Sequence, residues 1–148
     1  MSVWTHVAAV FRIDCVNREY RGVIVNGRPE IKWDKVVGRQ IYDGDWLTDD
    51  DYERRRMEED WDAYRKHPKR FMPTGSEGSL QRLVWVNPDA YSAVRYTVTV
   101  FGDLRDYDDA DAIKEWFESV CDRCTIRQAV CCVTNGYETH TWERCWSH

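Results

Sequence analysis

"WTHVAAVFRID", residues 4–14, alternates with a period of two: Val7, Ala9, Phe11 and Ile13 share one face, while Trp4, His6, Val10 and Arg12 share the other. That period is a strand whose apolar face has to be buried against a second layer. Everything else in the chain is read by asking what can pair with this strand and what can cover it.

Immediately after it, "RGVIVNGRPEIKW" sets Asn26-Gly27 between two β-rich runs. Asn and Gly both accept positive φ, so the dipeptide marks a tight turn and the segment reads as a small inserted hairpin. Residues 43–70 form a charged insert. Thr48 is its expected N-cap, three Asp complement the dipole of the first turn, and Pro68 lies beyond the end, predicting a helix over about 49–66. Its apolar stripe is thin (Met57, Trp61 and Tyr64, with Tyr52 nearby), which places it on the surface.

In the second half, "SLQRLVWVN" and "RYTVTVFG" are strands joined across "PDAYSAV", short enough for an antiparallel pair. Tyr96, Val98 and Val100 face one way and Thr97, Thr99 and Phe101 the other. "DYDDADAIKEWFESVCDRC" is the clearest amphipathic helix, with Ile113, Trp116, Phe117, Val120, Cys121 and Cys124 along one stripe. "TIRQAVCCVT", the turn Asn135-Gly136 and "YETHTWERC" close the chain as two strands. The order predicts an α+β fold of one domain over 1–148: a ferredoxin-like antiparallel sheet (βαββαβ) with an inserted hairpin and an extra C-terminal strand. Helices then cover one sheet face and leave the other open.

Composition limits the functions available. The 148 residues carry a net charge of −5, with 43% hydrophobic and 32% charged residues and eight each of Trp and Tyr. Large apolar anchors on a charged surface suit a partner-binding protein, and the acidic balance disfavours broad attachment to nucleic acid or an anionic membrane. There is no run of 18 apolar residues and no signal-like start, so a cytoplasmic protein without membrane contact, with its six Cys reduced, is expected.

Three stretches invite a chemical reading. "PTGSEGSL", residues 73–80, resembles a phosphate cradle in which Gly75 and Gly78 permit positive φ and Ser76 offers a hydroxyl. However, Glu77 sits at its middle, the P-loop lysine is missing and a strand follows instead of a helix, so a structural loop is the better reading. "FGDLRDYDDAD" gathers five Asp, but without EF-hand spacing it reads as a capped helix start. Cys121-x-x-Cys124, with His140, Cys145 and His148 further on, suggests zinc. Against that, both cysteines continue an apolar stripe, and a redox pair would open a helix where this one closes it, so buried structural thiols are expected and no cofactor or metal. Cys145 with His140 or His148 is the only local nucleophile–base grouping, and no enzyme activity is inferred from it.

The open sheet face should present Trp4, His6, Arg12 and Phe101, with Trp85 or Arg82 joining according to register. Such a face stacks bases or packs on a protein, unless the inserted hairpin covers it. Arg54, Arg55, Arg56 and Trp61 on the charged helix are a second candidate contact.

Through "PTGSEGSL", "FGDLRDY" and "WTHVAAVFRID" the chain resembles a family of small uncharacterised bacteriophage- and prophage-encoded proteins that share these motifs. The resemblance implies a phage accessory role in the host cytoplasm, of the kind in which a compact acidic protein binds and inhibits a host defence complex, as anti-CRISPR proteins do. It supplies no catalytic residues. A binder of nucleic acid or of a signalling nucleotide is the alternative. The loop and the "GDLRD" turn are expected to fix one another, with Arg105 pairing to Glu77.

Overall fold

The computed structural model describes residues 3–41, 49–89, 91–136 and 138–146. In chain order its elements are β1 (Trp4–Val16), the hairpin strands β2 (Arg21–Val25) and β3 (Arg28–Ile31), the short helix α1 (Trp33–Val36), α2 (Asp51–Lys66), β4 (Leu80–Val86), β5 (Tyr96–Arg105), α3 (Ala110–Asp122), β6 (Cys124–Asn135) and β7 (Glu138–Cys145). Among the described residues the fold is α+β: a five-stranded antiparallel sheet in the order β4-β5-β1-β6-β7, a separate two-stranded hairpin and three α-helices.

The alternation of β1 makes it the central strand. Val7, Ala9, Phe11 and Ile13 are all buried, and β1 pairs along nearly its whole length with β5 on one side and β6 on the other. On the covered face these residues meet Val98, Val100 and Leu104 of β5 and Ile126, Ala129, Cys131 and Val133 of β6. α3 closes this layer by burying Ile113, Trp116, Phe117, Val120 and Cys121. Phe11 lies beneath it, edge-on to Trp116 at 5.8 Å and tilted against Phe117 at 5.5 Å. A buried aromatic cluster of this size accounts for several kcal/mol of burial free energy, about 2–3 for each ring.

The crossover from β1 to β4 departs from expectation. The parts that join the sheet's core are the end of α1, with Val36 and Val37, and Met72 beyond α2; Ile41 and Phe71 are buried as well. Trp116 donates its indole N–H to the Val37 carbonyl at 2.7 Å, and Arg123 donates to the Val36 carbonyl at 2.8 Å, so α3 holds this segment in place. The long charged helix sits outside it, with only Met57 buried. α2 begins at Asp51, capped by Asp50, whose carboxylate accepts from the Tyr52 and Glu53 amides. The expected cap, Thr48, lies outside the described residues.

A further correction concerns the end of α3. α3 stops at Asp122, so Cys124 is the first residue of β6 and not the last of a helical stripe; the Arg123 amide closes the helix onto the Val120 and Cys121 carbonyls and the chain turns at once into the sheet. β7, the expected extra C-terminal strand, continues the sheet beyond β6. Among the described residues no helix is long and apolar enough to cross a membrane.

Candidate protein-binding face

The face opposite α3 follows directly from register. Trp85, Thr97, Arg12, Gln128 and Cys145 align across the five strands; next to that row lie Leu83, Thr99, Val10, Val130 and Glu143, and then Gln81, Phe101, Ala8, Cys132 and Thr141. The middle of the face is therefore apolar and its edges are mixed. Leu83 is 61% exposed, Trp85 55% and Phe101 40%, values that belong to residues with nothing packed over them. Among the described residues no element covers this face. The hairpin instead stands at one end of the sheet, near Asp14, Val86 and Arg95, and shows its own Val23, Ile24 and Val25 to solvent.

Register decides between Trp85 and Arg82. Trp85 joins the open face, whereas Arg82 points to the covered side and pairs with Asp34 at 2.8 Å. Trp4, His6, Arg12, Trp85 and Phe101 thus share one surface, and Leu83, Val10 and Val130 complete its apolar centre. The sequence signal for Leu83 and Val130 was their alternation within their own strands, which has no direction until β1 is set beside them.

Two polar pairs flank this face, while Arg12 and Glu143 make no ion pair among the described residues. His6 Nδ1 lies 2.5 Å from Asp103, and Arg127 makes a forked pair with Asp14 while its guanidinium stacks 4.6 Å from the Trp146 ring. Arg12 donates to Gln128 at 3.4 Å. The second predicted contact lies elsewhere: Arg54, Arg55, Arg56 and Trp61 are on α2, on the helical side, where Trp61 is half-buried edge-on to Tyr64. The two groups do not form one surface.

The glycine loop is occupied by the protein itself. The Ser76 amide donates to the Arg105 carbonyl and the Arg105 amide to the Glu77 carbonyl, each at 3.0 Å, and the Arg105 guanidinium pairs with Glu77 at 2.7 Å. Gly75 is buried against the Arg105 backbone, and Gly78 has φ +79° with the Asp103 carbonyl pressed against it. The Ser76 amide, which would have to help cradle an anion, is spent on β5, and the Glu77 carbonyl is tied to the same strand.

The cysteines do not converge with the histidines. In β7 His140 faces the covered side, stacked on Trp142, and Cys145 faces the open side. Cys121 sits in the core and Cys124 at the start of β6. Among the described residues no three His, Cys, Asp or Glu side chains are placed to hold a metal; His148 lies outside them. Burial pushes the Cys121 thiol up to about 11 and the Cys124 and Cys131 thiols up to about 12, so all three stay protonated at neutral pH and are poor nucleophiles.

No protein-family model matches this chain, and no curated protein or solved structure matches it either.

Proposed function

We propose that this chain is a non-enzymatic binding protein whose open sheet face docks on a folded protein partner. The observation that carries the reading is the apolar patch of that face, Leu83, Val10, Val130 and Phe101, flanked by the pairs His6–Asp103 and Arg127–Asp14. A nucleic-acid platform combines exposed aromatics with an excess of unpaired Lys and Arg, and here the arginines of α2 lie off the face. Strand spacing and rise give the face an extent of about 20 Å by 34 Å, or about 700 Å², close to the roughly 800 Å² that each partner contributes to a standard interface.

The phage-protein resemblance supplies the setting: a host protein complex, with inhibition as the outcome of docking. The fold is further read as a ferredoxin-like variant. With the hairpin and β7 set aside, the strands run β4-β5-β1-β6 and the two crossovers lie on the same side of the sheet, which supports that reading.

The test is affinity capture from bacterial host lysate, nuclease-treated and untreated, using the wild-type chain beside Leu83→Asp and Phe101→Asp. A protein complex held by the wild type after nuclease treatment and lost by both variants is the expected result. Recovery of nucleic acid alone, or capture unaffected by both substitutions, would overturn the proposal.

A further inference from the structure

On the helical side, away from the open face, a cavity of about 430 Å³ lies where α2, the chain from Pro68 to Pro73 and α3 meet. This is within the range of small-ligand sites and suited to one compact group. Its walls include four aromatic rings, Tyr64, Phe71, Tyr107 and Trp116.

Charge at this cavity is one-sided. Glu115, Glu118 and Asp122 line it from α3, spaced three and four residues apart, so a single stripe of the helix carries all three. Like charges at such spacing repel and weaken a helix, and α3 tolerates them because its other stripe buries Ile113, Phe117 and Val120. Arg144 of β7 answers Asp122 at 2.7 Å. Among the described residues Glu115 and Glu118 make no ion pair, and Lys69 is the single basic residue in the lining.

Aromatic rings present negative π faces that attract cations, and this cluster already engages one. The Arg39 guanidinium lies 5.1 Å from the centre of the Phe71 ring. Burial above all keeps Tyr64 and Tyr107 protonated well beyond neutral pH, so both rings stay neutral.

We propose that this cavity binds an organic cation of the alkylammonium type, held by the aromatic walls and by Glu115 and Glu118. The cation is either a free small molecule or the lysine side chain of a docked protein, and one experiment separates these sources. The full-length chain is titrated with choline, with its uncharged carbon isostere 3,3-dimethylbutan-1-ol, and with a short lysine-containing peptide, each followed by calorimetry and by tryptophan fluorescence, for which Trp116 is the reporter. Saturable binding of a cation is expected, with the neutral alcohol weaker by about tenfold or more. Tighter binding of choline assigns a free ligand, and tighter binding of the peptide assigns a partner's lysine. Glu118→Gln, on the exposed side of α3, should weaken the cation severalfold without altering the fold, and Tyr107→Leu should weaken it further. Equal binding of the neutral alcohol, no saturable response to either cation, or affinity unchanged in both variants would overturn the proposal.

Discussion

Gly78 has φ +79°, and a Cβ placed there would stand 2.1 Å from the Asp103 carbonyl oxygen. Gly78→Ala therefore combines left-handed strain with a backbone clash and should cost about 3 kcal/mol, lowering the melting temperature by about 6–12 °C. A calorimetric scan in which the variant melts with the wild type would show that the loop is not locked onto β5. Arg105→Ala removes a half-exposed pair to Glu77, and solvent screening limits its effect to about 1 kcal/mol, readable by the same scan. The buried thiols make a pH prediction. Their folded-state values, about 11 for Cys121 and about 12 for Cys131, lie above the free value of 9.0, so the native state holds these protons more tightly than the unfolded chain. Stability from this source is intact below about pH 9 and falls as pH rises toward 11 and 12, by up to about 1.4 kcal/mol per pH unit for each thiol. Urea midpoints at pH 7.5 and 10 measure it, and a midpoint that rises with pH would contradict the sign. At pH 7.5 an alkylating reagent should reach exposed Cys15 and Cys145 first, leaving Cys121 and Cys131 unlabelled until the chain unfolds.

Among elements, α2 depends on its cap more than on its packing. Met57 is its one buried residue, and the Asp50 carboxylate satisfies two amides that the helix leaves open. Asp50→Ala should cost about 1 kcal/mol locally and accelerate amide hydrogen exchange in α2 while leaving the central strands protected. Strands were well marked in the sequence because β1, β5 and β6 alternate over long stretches, and the hairpin was marked because Asn26 and Gly27, at φ 51° and 78°, are residues that tolerate such backbone angles. The helix α1 was not legible: Trp33–Val36 is four residues long, too short to show a period, and has no side-chain cap. The placement of α2 outside the crossover was only half visible, since a thin apolar stripe marks a surface helix without naming what lies beneath it.

For the molecule as a whole, the sheet has one face buried under α3 and the crossover segment and one face open to solvent. Alternation told which residues share a face, but which face is covered, and where the hairpin stands, depend on long-range placement that no local pattern encodes. Leu83 is mostly exposed, so Leu83→Asp should leave the melting temperature within about 2 °C of wild type, whereas Phe101 is more than half buried and Phe101→Asp should lower it by a few degrees, about 1–2 kcal/mol; each should abolish partner capture. A large loss of stability in either variant would mean that the face is already packed in the free protein. The central position of β1 carries one more consequence. Thr5 pairs with Asn135 and Trp4 with Arg105, so β1 has no sheet neighbour until the chain has been made as far as β5, and has both only after β6. At ordinary elongation rates that is a wait on the order of ten seconds, during which Val7, Phe11 and Ile13 are exposed in the growing polypeptide. Nascent chains cut short before β5 should be unable to assemble the sheet and should be handed to chaperones or proteases, which ties the safety of β1 to the speed at which the chain is made as far as β5.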